Sequence, residues 1–170
     1  MKSVLIAGAS GMIGKLILEQ CLRSPQVKQC TTIVRKPSGT AHPKLVEVIH
    51  QDFENFSNIK ETFKNQDVAY YCVGVYTGAV PDDQFKKITF DYTKSFGNSL
   101  CQNSDKSNFV FLSGQGADRT ETSSMIFARE KGKAENYLDR LKFQKLHIFR
   151  PGYIYSVENR EEPNLTTQHH

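Results

Sequence analysis

Gly8, Gly11 and Gly14 recur at three-residue spacing within Val4-Leu5-Ile6-Ala7-Gly8-Ala9-Ser10-Gly11-Met12-Ile13-Gly14. An apolar run of strand length ends at the first glycine. An i, i+3, i+4 apolar pattern (Ile13, Leu16, Ile17, Cys21) begins after the second. The stretch reads as strand, tight turn and helix. In that arrangement Gly8 turns the chain, Gly11 lets bare backbone approach a pyrophosphate, and Gly14 packs helix on strand. The N–H groups of Ser10, Gly11, Met12 and Ile13 then face the phosphates at the positive end of the helix dipole. The spacing is one residue longer than the usual dinucleotide fingerprint.

A second group of residues bears on which dinucleotide. An NAD site places a carboxylate about 20 residues after the glycines, on the ribose 2′-hydroxyl. No Asp or Glu lies between Glu19 and Glu47; at the end of the second expected strand stand Arg35 and Lys36. A guanidinium there suits a 2′-phosphate through charge-assisted bidentate bonds. The expectation is NADP, with NADPH preferred over NADH. Asp52, after the third strand, is a candidate acceptor for the adenine amino group, with the backbone of Phe53 completing the contact. A turn or helix-cap role is the alternative for Asp52.

The elements that must position these residues follow from periodicity. Strands are expected at 4–7, 28–34, 45–49, 68–73, 109–112 and 146–149. Helices are expected at 12–23, 58–64, 83–102 and 122–141, with Phe85, Ile88, Tyr92, Phe96 and Leu100 as the buried stripe of the third. Ile126, Ala134, Leu138 and Leu141 form the apolar face of the last. Strands alternating with helices imply right-handed crossovers and an α/β fold, a three-layer doubly wound parallel sheet. Ligands bind outside the carboxyl ends of such strands, so Gly8, Arg35, Asp52, Val73, Gly74, Ser113 and Pro151 become site candidates together.

Bulk properties narrow the partners. The 170 residues suit one domain, with residues 1–155 as its body and 156–170 as a polar tail or a shortened substrate lobe. Twenty-two basic residues are spread among 18 acidic ones for a net charge of +4, without the basic block that nucleic acid binding asks for. No apolar run approaches about 18 residues, so no membrane span is expected. Cys21, Cys30, Cys72 and Cys101 lie in apolar segments without metal-ligand spacing, the pattern of reduced thiols in a cytoplasmic protein. The helices at 83–102 and 122–141 also offer a face for a homodimer.

With these residues in place, the chain resembles the atypical short-chain dehydrogenase/reductase family. More narrowly it resembles the Tat-interacting-protein-like oxidoreductases and NmrA-like NAD(P)H-binding Rossmann domains. The resemblance rests on the glycine turn, Arg35, Asp52-Phe53 and Val73-Gly74. It continues through Phe111-Leu112-Ser113-Gly114-Gln115-Gly116-Ala117-Asp118, Lys131-Gly132-Lys133-Ala134-Glu135 and Phe149-Arg150-Pro151-Gly152. It implies a Rossmann fold of strand order 3-2-1-4-5-6 binding NADP(H), and a serine paired with Tyr-x-x-x-Lys on the next helix. Ser113 and Lys131 match that pattern as catalytic candidates, and Lys131 would also hold the nicotinamide ribose. The tyrosine position is Phe127, which has no proton to give. Tyr76, Tyr153, Tyr155 or a bound water are the alternative donors. The expected function is an NADP-dependent oxidoreductase acting on an unknown carbonyl or quinone-like substrate. The rival is a catalytically inactive NADPH-binding regulator acting through a protein partner.

Overall fold

A computed structural model describes residues 1–152. Six parallel strands form one sheet in the order β3-β2-β1-β4-β5-β6: β1 (Lys2–Ala7), β2 (Val27–Val34), β3 (Leu45–Ile49), β4 (Val68–Tyr71), β5 (Asn108–Leu112) and β6 (Lys145–Phe149). The doubly wound architecture expected from the alternation of patterns is the one observed. The order reverses between β1 and β4, where Ala7 pairs with both Ile33 and Tyr71. In this class of sheet that switch point opens the ligand crevice.

Each face of β1 feeds a different core, because successive side chains of a strand point to opposite sides. Val4 and Ile6 pack with Cys21, Val27 and Cys30 beneath helix α1 (Met12–Arg23). Leu5 and Ala7 join the larger core on the other face, built mainly from phenylalanine. There Phe56, Phe63 and Phe96 meet pairwise edge-on at centroid distances of 5.2 to 5.8 Å. Edge-to-face packing of this kind stabilises beyond area burial by about 0.5–1.5 kcal/mol per pair.

Four boundaries depart from the periodicity. The helix expected at 83–102 is three joined pieces: α2 (Asp82–Lys86), a π-helical turn (Lys87–Asp91) and α3 (Tyr92–Asn103). The wider turn moves the stripe, so Thr89 and Thr93 are buried while Tyr92 is only half-buried. The segment expected as a helix at 58–64 is a 3-10 helix, Ser57–Phe63, interrupted at Ile59. Strand β4 stops at Tyr71, two residues before the end of its apolar run.

Helix α4 (Ile126–Arg140) starts four residues later than expected. The Asp118 carboxylate takes the backbone N–H groups of Thr120, Thr122 and Ser123 at 2.9, 3.1 and 2.8 Å. Those amides therefore have a partner outside any helix. The hydrogen bonds from Thr120, first among them, hold the Asp118 carboxyl below its usual range. The π-helical turn and α3 both pack on α4 within the chain, Phe90 edge-on to Tyr137 and the Tyr137 hydroxyl donating to Asn98 at 2.6 Å. No helix among the described residues is long and apolar enough to cross a membrane.

Candidate functional site

The first wall of the crevice is the turn between β1 and α1. Gly8 sits at φ +84°, a conformation that side chains rarely adopt. A Cβ there would lie 2.5 Å from the Cys72 carbonyl carbon and 2.8 Å from the Val73 nitrogen, so the ends of β1 and β4 approach closely only because Gly8 is bare. A Cβ on Gly14 would run into the Gly8 carbonyl, which fixes how tightly α1 packs on the strand. Gly11 differs from both. Its N–H donates to the Gly8 carbonyl at 3.2 Å, and an added Cβ would meet only that oxygen, at 3.5 Å.

Gly11 is the N-cap of α1, and no side chain caps the helix. The first turn holds no acidic residue. Helix N-termini carry partial positive charge and N–H groups that need acceptors. The residues present thus fit a diphosphate, which would supply acceptors and negative charge at the start of α1.

The second wall lies across β2 and β3. The exposed Arg35 follows β2, with its guanidinium carbon 5.8 Å from the centre of the Phe53 ring. Phe53 is itself buried in the larger core, so only its backbone is left for a ligand. Asp52 uses Oδ1 to accept the Glu54 N–H at 3.0 Å, the turn role that was its alternative. Exposed Gly74 follows β4 and has nothing within 4 Å of an added Cβ, while Val73 packs against the core.

The third wall is made of side chains. Lys131, on α4, is 8% exposed and donates from Nζ to the Leu112 carbonyl at 3.3 Å, at the end of β5. Burial draws its pKa down to about 8, opposed by the charges of Glu135 and Cys72. Burial in turn pushes the Cys72 thiol up to about 11. Ser113 is the next residue along from Leu112, at 6% exposure, and its Oγ donates to Glu135 Oε2 at 2.6 Å.

Phe127 packs on Gly114, where an added Cβ would collide with the ring. Pro151 belongs to the same corner, its carbonyl accepting the Gln115 N–H at 3.0 Å. Ser113 and Lys131 therefore meet at one strand end. Tyr76 is 56% exposed on the loop after β4. Tyr153 and Tyr155, and the tail at 156–170, lie outside the described residues.

Three residues given no role by the sequence reading complete this corner. Glu135 is 1% exposed and bound by Arg150 through Nε at 3.0 Å and Nη2 at 2.5 Å, with Arg119 Nε 3.4 Å away. Glu135 had a visible signal, standing four residues after Lys131 and so on the same helix face. Arg119 had none. A separate groove of about 480 Å³ between the 3-10 helix and α3 is lined by Glu54, Lys60, Lys94, Ser95 and Asn98, none of them a site candidate of the sequence reading.

Comparison with known proteins gives this crevice its family. A family model described as NAD(P)H-binding matches residues 8–170. This chain belongs to that family. It is 30% identical to Protein HTATIP2 of Rattus norvegicus over 165 residues, 95% of this chain and 66% of that protein. It is 29% identical to the mitochondrial protein FMP52 of Candida albicans over 167 residues, 96% of this chain and 71% of the relative. The family resemblance carried by the motifs therefore holds. The chain spans about two thirds of the length of these relatives.

The same fold occurs in yeast methylglyoxal/isovaleraldehyde reductase Gre2 complexed with NADPH. The TM-score is 0.70 at 16% identity, covering 89% of this chain and 58% of that one. It occurs also in the Bordetella bronchiseptica enzyme WbmH in complex with NAD+, with a TM-score of 0.72 at 17% identity, covering 88% and 56%. These two likenesses are of fold.

Proposed function

We propose that this NAD(P)H-binding domain takes NADP(H) in preference to NAD(H) and serves an oxidoreductase acting on a carbonyl or quinone-like substrate. The observation that carries the reading is the uncapped α1 N-terminus over Gly11, with an arginine and no carboxylate at the end of β2. The amides of Ser10, Met12 and Ile13 hold the diphosphate, which bare Gly11 lets approach while its own N–H stays on the Gly8 carbonyl, and Arg35, steadied on Phe53, holds the 2′-phosphate. Asp52 and the Phe53 backbone serve the adenine, while Val73, Gly74 and Pro151 line the inner half. Lys131 binds the nicotinamide ribose and carries positive charge to the reacting end. When bound, the dinucleotide supplies hydride chemistry; the protein supplies position, charge and exclusion of water. The four free cysteines suit a reducing compartment, which we take to be the cytoplasm.

A second reading, a regulator that senses NADPH without turnover, is favoured by one feature. Phe127 occupies the place of a proton-donating tyrosine and packs on Gly114. Titration calorimetry tests the cofactor assignment. NADPH binds at least about tenfold more tightly than NADH, and Arg35→Ala removes most of that difference. Equal affinities in the wild-type protein would overturn the role of Arg35.

A further inference from the structure

Glu135 follows Lys131 by four residues on α4, so the two side chains leave the same face of the helix. The Glu135 carboxylate accepts from Ser113 Oγ and Arg150 Nε on Oε2 and from Arg150 Nη2 on Oε1, with the Arg119 guanidinium 3.4 Å from Oε1 as an ion pair. Both of its oxygens accept from Arg150, and a carboxylate among such donors has no hydrogen to give. In the Ser113–Glu135 bond the serine is therefore the donor. A hydroxyl has one proton, and this one is committed to Glu135. Only acceptor lone pairs remain on Ser113 Oγ. Lys131 carries three hydrogens, of which one meets the Leu112 carbonyl.

We propose that Glu135 is a positioning residue that fixes Ser113 as an acceptor and leaves donation to Lys131, so that a ligand at this strand end presents an O–H or N–H to Ser113. The proposal rests on reading the Ser113–Lys131 corner as part of the functional site. A carbonyl oxygen, which only accepts, is directed to the Lys131 ammonium; an alcohol satisfies both residues at once, donating to Ser113 and accepting from Lys131. The charged and titratable groups facing Lys131 are Glu135 from its own helix and Cys72 from the end of β4. Arg150 beyond β6 and Arg119 from the loop before α4 face it only through Glu135. Glu130, its buried neighbour, lies 3.8 Å from Arg129 instead.

The test uses the full chain without cofactor. Proton NMR of the wild type is expected to show a slowly exchanging Ser113 hydroxyl with cross-relaxation to the Glu135 side chain, assigned by its loss in Ser113→Ala. In Glu135→Gln the carboxamide offers hydrogens of its own, and the Ser113 proton exchanges rapidly. The Lys131 side chain, followed by its carbon shift in selectively labelled protein, titrates about one pH unit lower in Glu135→Gln and is unmoved in Ser113→Ala. By saturation-transfer NMR, 1-phenylethanol binds at least about threefold more tightly than acetophenone in the wild type. That preference disappears in Ser113→Ala.

A wild-type Ser113 proton in fast exchange, or a preference for the ketone, would overturn the proposal. Should Glu135→Gln fail to fold, the wild-type proton and the alcohol–ketone comparison decide alone. Calorimetry with NADPH is run in parallel. Loss of NADPH binding with the Ser113 proton still protected would remove the functional reading and leave the hydrogen-bond assignment standing.

Discussion

Around Gly8, Gly11 and Gly14 the crevice is made of backbone, whereas around Ser113, Lys131 and Glu135 it is made of side chains that hold one another. The first wall needs only a strand, a turn and a helix within a dozen residues, with glycines where a Cβ would strike the Cys72 or Gly8 carbonyl. The second gathers groups from β5, the loop before α4, α4 itself and the end of β6. A backbone site is preorganised by local packing and has no protonation state to manage. A side-chain site in a dry corner can tune protons, and it carries the cost of burying charge. One wall is suited to holding a ligand, the other to acting on one.

The largest effect that sharpens this contrast separates two glycines of the same turn. Gly14→Val drives a side chain into the Gly8 carbonyl and is expected to destabilise by more than about 4 kcal/mol, read by urea denaturation. Gly11→Ala meets only one oxygen at 3.5 Å and keeps stability within about 1 kcal/mol. By calorimetry it lowers NADPH affinity at least about tenfold. If Gly11→Ala bound NADPH as the wild type does, the turn would be a packing device alone.

Lys131 provides the next test, on the other wall. Its folded pKa of about 8 lies below the unfolded value of about 10.4. Below pH 8 both states hold the proton, so the cost of burying the charge is fully present. Between about 8 and 10.4 the unfolded chain binds the proton that the folded chain has released, and stability rises with pH. Lys131→Met is therefore expected to raise stability at pH 7 by up to about 3 kcal/mol and to flatten that rise, measured by urea midpoints across the range. A wild-type curve without the rise would show that the ammonium is solvated and that this wall is not dry.

The smallest expected change in stability comes from Phe127→Tyr, within about 1 kcal/mol because the ring is only half-buried. Its value lies in activity. With NADPH and a panel of small aldehydes and quinones, the variant is expected to gain carbonyl reduction of about 10²-fold, the scale of a placed proton donor. No gain would favour the regulator or another proton donor.

What could be read without coordinates follows the same division. Six strands and the three glycines were legible because period, apolar runs and close backbone approach are written in adjacent residues, while the strand order followed from the family resemblance. The start of α4 at Ile126 was not, and the turn role of Asp52 stood only as one of two alternatives, since each depends on which backbone amides a carboxylate meets. The π-helical turn at Lys87–Asp91 likewise left no mark on the apolar period.

The amino-acid sequence by itself determined the doubly wound sheet, the bare turn at its switch point and an arginine instead of a carboxylate after β2, because these depend on residue type at short range. Tertiary structure alone decided that Ser113 donates its hydrogen bond to Glu135, that Arg150 and Arg119 face that carboxylate, and that Lys131 stands in a dry corner beside them. Hydrogen-bond direction and burial are properties of assembled neighbours, and those neighbours come from segments that meet only when the sheet has closed over its helices.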